Sequence, residues 1–279
     1  MEAKLIYEGF LSRTILLAPT LAVRIGNLPV REQCNTGIVV TTDGLILIDY
    51  PKQQPDEEII EEAEKLFHQR VSHIFLTHAH GDHRNGLSTL HRKDIVLVAS
   101  PACAEEIRTC YPELSNPIRV IHPKEMLTIS GAHFSFRIPS RLPAHSPWDM
   151  IIEYQNECTI FAGDFLNPPG PLYFRSSCCQ NWIDELEILF RETDPSYRVI
   201  MGHGNPCLLG EASGTLAYLK GLAKLVPELI KMGIPSEEEN TTHFLSRCDK
   251  TFRQAVEKLS TASSTGHVIG QLREIAQTL

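Results

Sequence analysis

Residues 72–83 read Ser-His-Ile-Phe-Leu-Thr-His-Ala-His-Gly-Asp-His, and this run restricts the fold more than any other part of the chain. Four donor side chains, His78, His80, Asp82 and His83, crowd into six residues directly after an apolar stretch. That stretch, residues 72–76, predicts a strand, and a short helix is expected after Asp82. The donors then sit in the turn between the two, where several side chains can be aimed at one point. Imidazole and carboxylate together suit zinc and its first-row neighbours, whereas an oxygen-only set would suit calcium or magnesium. One ion cannot easily take all four donors from so short a segment. The spacing is easier to satisfy with His78 and His80 on one ion and Asp82 and His83 turned toward a second.

Each ion then needs donors from elsewhere, at strand ends or in loops. His145 stands in Pro143-Ala144-His145-Ser146-Pro147, just before a strand expected from Met150, with His133 as the alternative. Asp164 follows Gly163 after the apolar run 158–162. His203 follows Gly202 after the apolar run 197–201. In the last two cases a glycine lets the backbone turn closely around a bound ion.

The rest of the chain supplies a scaffold of matching period. Residues 36–40 and 45–49 are aliphatic runs joined through Thr42-Asp43-Gly44 and predict a hairpin. Helical spacing of Ile59, Ile60, Ala63, Leu66 and Phe67, with Asp56, Glu57 and Glu58 in the first turn, predicts a helix over 55–67. Residues 14–23 read as one strand. From Glu211 onward the pattern is helical: Leu216, Leu219, Leu222, Leu229 and Ile230 face a core, one helix covers 244–259 and another 268–279. The expected division is a catalytic unit at 1–210 and a helical extension at 211–279 packed on the same domain.

Composition excludes several classes. The chain is 42% hydrophobic and 22% charged, a globular balance. Its net charge of −8 argues against a nucleic-acid partner. The opening Met-Glu-Ala-Lys lacks a basic n-region, and no apolar stretch is long enough to span a bilayer, so a cytoplasmic protein without a membrane partner is expected. Eight cysteines without a CxxC pair fit a reducing compartment, and Cys178 and Cys179 read as two small apolar loop residues.

The ordered set His78-X-His80-X-Asp82-His83, then His145, Asp164 and Gly202-His203-Gly204, resembles the metallo-β-lactamase superfamily, and within it the glyoxalase II-like hydrolases. The hairpin ending Leu45-Ile46-Leu47-Ile48-Asp49 is similar to the strand behind that family's site. The resemblance covers about residues 30–210. It implies an α/β fold, a four-layer αββα sandwich with additional C-terminal helices. It implies two divalent ions, zinc with iron or manganese as alternatives: His78, His80 and His145 on the first, Asp82, His83 and His203 on the second, and Asp164 bridging. A hydroxide generated there would attack a carbonyl ester, thioester or lactone. Asp82 would hold or relay the water's proton, and Asp49 would accept from a ligand imidazole.

Departures from relatives narrow the reading. Flavodiiron proteins carry an acidic residue where His80 stands, and the best-known zinc β-lactamases lack the aspartate matching Asp164. Acyl-homoserine lactonases have a tyrosine where this chain has Phe165, Leu166 and Asn167. Glyoxalase II has a Gly-Arg segment where this chain runs Asn167-Pro168-Pro169-Gly170-Pro171, so glutathione thioesters are not assigned. Two alternatives stay open: a mononuclear iron persulfide dioxygenase, and a phosphodiesterase or nuclease of the same fold. Trp148 either walls the pocket or packs in the core. Tyr173, Phe174 and Arg175 line the entrance or form an ordinary loop, and His267 either touches substrate or merely begins a helix. The partner is a small-molecule substrate; the oligomeric state is left open, a homodimer included.

Overall fold

The computed structural model describes residues 3–9, 12–26, 33–52, 58–168 and 172–277. The first half forms one sheet with its helices: β1 (Lys4–Glu8), β2 (Ser12–Ala18), β3 (Leu21–Gly26), β4 (Thr36–Val40), β5 (Leu45–Ile48), α1 (Ile59–Phe67), β6 (Val71–Phe75), α2 (Gly81–Arg84), β7 (Val96–Ala99), α3 (Pro101–Cys110) and β8 (Ile118–Val120). The second half forms another: β9 (Met126–Ile129), β10 (Ala132–Arg137), β11 (Ile151–Tyr154), β12 (Thr159–Gly163), α4 (Cys179–Glu192), β13 (Arg198–Met201) and β14 (Cys207–Leu208). Four helices follow: α5 (Gly214–Met232), α6 (Thr241–Arg247), α7 (Lys250–Leu259) and α8 (Thr265–Gln277).

Period-two alternation decides which layer each strand residue enters. In β5, Leu45 and Leu47 pack with Ile59, Ile60 and Ala63 of α1 and with Ala104 and Ile107 of α3. Ile46 and Ile48 point the other way, into a core shared between the sheets with Phe75, Val98, Phe134, Phe136, Ile152 and Phe161. On the far side of the second sheet, Ile160 and Ala162 of β12 meet Trp182, Ile183 and Leu186 of α4 and side chains of the C-terminal helices. The result is the helix–sheet–sheet–helix layering expected from the resemblance.

Strand direction then gathers the chemistry at one edge. Strands β5, β6, β7 and β8 run parallel, so the residues after β5 and β6 emerge on the same side. Strands β12 and β13 are also parallel, which brings Asp164 and His203 out together. Backbone bonds join the two sheets at that edge: Met150 N donates to Thr77 O at 2.7 Å, and Asn35 N to Gly202 O at 2.6 Å.

Several expected elements differ in detail. The run 14–23 is two antiparallel strands, because Pro19 and Thr20 form the turn between β2 and β3. The expected helix 244–259 divides at Cys248, where Asp249 turns its side chain to accept from Phe252 N and caps α7. Ile230 is 46% exposed, because Leu219, Leu222, Val226 and Leu229 already fill the buried face of α5. Helix α8 begins at Thr265, ahead of the expected 268. Residues 55–57 of the expected first helix and 278–279 of the last lie outside the described residues.

Phe134 is fully buried between the sheets, its ring 5.0 Å from Phe75 and 5.3 Å from Tyr154. Phe134→Ala is expected to cost about 3–5 kcal/mol, read as a lowered urea midpoint. A loss under about 1 kcal/mol would mean that the inter-sheet core repacks.

Candidate metal centre

Four chain segments deliver donors to the shared edge. His78, His80 and His145 present ring nitrogens within 4.8 Å of one another, and Asp82, His83, Asp164 and His203 form a second group on the same criterion. The groups adjoin: the His78 and His83 rings lie 4.1 Å apart. His145 Nε2 is 3.1 Å from His80 Nδ1, His203 Nε2 is 3.0 Å from Asp82 Oδ2, and His83 Nε2 is 3.3 Å from Asp164 Oδ1.

Asp49 organises this edge. Its Oδ1 accepts from Thr77 N at 2.8 Å, and its Oδ2 accepts from Thr77 Oγ1 at 2.7 Å and pairs with His83 Nδ1 at 2.8 Å. The last contact leaves His83 Nε2 turned toward Asp164. Asp49 itself has φ 64, a left-handed conformation that costs a side-chain-bearing residue roughly 1–3 kcal/mol.

Two glycines permit the close approach. A side chain at Gly202 would fall on Asp164 Oδ1 and lie 2.6 Å from His83 Cε1. Gly163, at φ 52, has His78 Nδ1 3.2 Å from where a Cβ would stand.

The electrostatics divide the imidazoles. Burial holds His78 well below its ordinary range, lowers His80, and takes His145 from 6.5 to about 3. These three are neutral at pH 7, the form that binds a metal. Burial also works against a charged His83, but the facing groups of Cys34, Asp49, Asp164 and Asp82 outweigh it and raise it well above 6.5. Since burial pushes the Cys34 thiol up to about 12, the carboxylates supply that pull at neutral pH. Burial likewise opposes ionised Asp164, yet His83, His203 and His145 hold its carboxyl well below the usual range.

The residues present fit a metal by the atoms left over. His78 Nε2, His83 Nε2, His145 Nδ1 and Asp164 Oδ1 are buried without a hydrogen-bond partner among the described residues. His145 turns Nε2 rather than Nδ1 toward His80, but the other three point into one cluster, and because buried polar atoms are normally paired they call for a cation.

The expected site residues fall in three groups. The seven donors and Asp49 come together. His145 joins them, whereas His133 is exposed on β10 and pairs with Thr128. Trp148 and Tyr173 present ring edges to His80 at 5.5 and 5.2 Å, and Trp148 also packs partly against the outer core of the first sheet. His267 does not reach the cluster. It is exposed in the first turn of α8, its amide donating to Ser264 Oγ at 3.2 Å, because the buried face of that helix belongs to Val268, Ile269, Gln271 and Leu272. Phe174 is buried in the core with Trp182, while Tyr173 beside it is 50% exposed. Cys178 is half-buried ahead of α4, and Cys179 packs into the core; both are free thiols.

Other residues carried no signal. Ser176 Oγ stands 3.2 Å from His80 Nε2. Asn35 Nδ2 donates to Met201 O at 3.0 Å and Gly204 O at 2.8 Å, securing the turn that bears His203. Cys34 lies against Asp49 and His83. None of these contacts is local in sequence, so no pattern along the chain announces them.

A two-sheet sandwich with imidazoles and carboxylates gathered at one edge defines a metal-binding hydrolase fold. The chain belongs to the metallo-beta-lactamase superfamily, whose sequence profile matches residues 29–203. It is 34% identical over 192 residues to a metallo-beta-lactamase type 2 of Bacillus sp. (strain 170), covering 67% of this chain and 73% of that protein. It is 31% identical over 131 residues to the atrochrysone carboxyl ACP thioesterase AgnL7 of Paecilomyces divaricatus, covering 47% of this chain and 38% of the thioesterase's length. The solved metallo-beta-lactamase from Erythrobacter litoralis has the same fold, with a TM-score of 0.62 at 17% identity over 77% of this chain and 99% of that one.

Two outcomes are expected. Gly202→Ala displaces Asp164 and His83 and lowers bound metal by elemental analysis; full metal content would contradict the close approach. In chelator-treated protein, His78, His80 and His145 are neutral when folded and bind protons on unfolding. Their stabilising contribution is complete above about pH 6.5 and is lost as pH falls toward about 3, where folded His145 titrates. His83 and His203, both raised, stay protonated when folded and work in the opposite direction, but that opposing slope fades as unfolded histidine fills below 6.5. The urea midpoint therefore drops between about pH 7 and about pH 5; a flat midpoint would contradict the burial argument.

Proposed function

We propose that this chain hydrolyses a carbonyl ester, thioester or lactone with two divalent ions, zinc first and iron or manganese as alternatives. One observation carries the reading: seven donors converge, three of them neutral imidazoles, and among the described residues three of their buried atoms, His78 Nε2, His83 Nε2 and Asp164 Oδ1, lack a hydrogen-bond partner. His78, His80 and His145 would hold one ion and Asp82, His83 and His203 the other, with Asp164 between them. Such a pair, when bound, acidifies water and polarises a carbonyl.

The chain's own groups do the remaining work. Asp49 fixes the orientation of His83. Asp82 is the more accessible carboxylate, its side chain 24% exposed against 12% for Asp164, and it faces His203 Nε2. There it takes a proton from attacking water and returns it to the leaving group. Trp148 and Tyr173 flank His80 and form the apolar walls for the acyl portion of a small-molecule substrate. In this reading residues 1–210 are the catalytic unit and 211–279 its helical extension. The thioesterase relative favours a thioester among the three carbonyl classes. A nucleic-acid substrate is disfavoured by the net charge of −8. Among the described residues no helix is long and apolar enough to cross a membrane.

Asp164→Ala is expected to lose one metal equivalent and most hydrolytic activity; retention of both would remove the bridging role. Elemental analysis joined to a panel of thioester, ester, lactone, β-lactam and phosphodiester substrates tests the whole reading. Two equivalents of metal with thioester turnover support it. One iron per chain with oxygen uptake on a persulfide would replace it with a dioxygenase.

A further inference from the structure

The C-terminal helices grip the loop that carries Tyr173. Gln271 lies on the buried face of α8 and is 5% exposed. Its Nε2 donates to Leu172 O at 2.5 Å, and its Oε1 accepts from Tyr218 Oη of α5 at 2.5 Å. The Leu172 carbonyl, which can only accept, fixes the NH2 end of the amide toward the loop, and the Tyr218 hydroxyl satisfies the other end. Leu172 and Phe174 belong to the same apolar cluster as Val268, Ile269 and Leu272 of α8, so the residues on either side of Tyr173 are anchored in the core that this helix helps to form.

A second attachment holds the same loop nearer Asp164. Thr215, buried in the first turn of α5, accepts from Asn167 N at 3.0 Å and donates to Asn167 O at 2.8 Å. Asn167 Nδ2 in turn donates to Asp164 O at 2.5 Å. The opposite wall has a different support, since Ser100 Oγ at the end of β7 donates to Trp148 O at 2.9 Å. The Trp148 segment is thus tied to the first sheet and the Tyr173 loop to the terminal helices.

We infer that Gln271 is a positioning residue that, through Leu172, holds Tyr173 against His80 and so sets the width of the cleft between Tyr173 and Trp148. The C-terminal helices thereby select the acyl group. This rests on the reading of that cleft as an acyl-binding site.

Gln271→Met keeps length and apolar contact and removes the donor. Loss of one buried hydrogen bond is expected to accelerate amide hydrogen exchange over 172–178 roughly tenfold. On acyl thioesters of increasing chain length, KM is expected to rise roughly tenfold for the preferred chain, with kcat within about twofold and the length preference flattened. Metal content stays at the parent value. Tyr218→Phe, which keeps the amide but removes the hydrogen bond that anchors its oxygen, shows the same change to a smaller degree and serves if Gln271→Met does not fold. Unchanged exchange over 172–178 in both folded variants, or exchange that rises with an unaltered chain-length profile, would overturn the inference. If the parent protein turns over no acyl substrate, the functional reading fails, while the exchange measurement still tests the clamp.

Discussion

The carboxylate of Asp49, 3% exposed, is the joint on which the edge of this molecule depends. A buried charge is tolerated only when its lone pairs are used, and here Thr77 N, Thr77 Oγ1 and His83 Nδ1 use them. The contact ties the end of β5 to the end of β6 and sets the orientation of one imidazole in the cluster. The left-handed backbone at Asp49 is sustained by those bonds, which together outweigh the strain.

Around that joint the fold is an arrangement for bringing polar ends together without burying polar middles. Strands β5, β6, β12 and β13 are buried and apolar over their last residues, and each gives way within three residues to a polar side chain, Asp49, His78, Asp164 or His203. Parallel pairing within each sheet aligns those ends, and the shared core of Phe75, Phe134, Phe136 and Phe161 presses the sheets into contact. Gly163 and Gly202 remove the side chains that would keep Asp164, His78 and His83 apart. The strongly neutral imidazoles and the strongly ionised Asp164 then follow from burial and proximity, and both are the states a cation requires.

What the chain discloses by itself is what is local. The donors at 78–83 and the ligand-type residues after Gly163 and Gly202 were legible because each follows an apolar run in sequence, and Asp49 because it ends a hairpin strand. The layering was legible because strand period and helix period differ. The turn at Pro19 and Thr20 was lost in a run that is apolar on both sides, and the break before α7 was hidden because Asp249 caps a helix inside a continuous helical pattern. His267 was weighed for the site and stands exposed on α8, whereas Gln271, four positions later, is the residue that reaches the loop. Nothing in a sequence marks a bond between residues 172 and 271, since tertiary packing alone brings them together.

In the proposed reading selectivity and chemistry fall on different parts of the chain: the donors on the strand ends, and the Tyr173 wall on the terminal helices. The central claim is that the donor cluster holds a metal pair, and anomalous diffraction from crystals grown with excess zinc measures it most directly. The account predicts two peaks, one among His78, His80 and His145 and one among Asp82, His83 and His203, with Asp164 between them. A zinc-saturated crystal without a peak in this cluster, or with zinc bound only elsewhere, would contradict it.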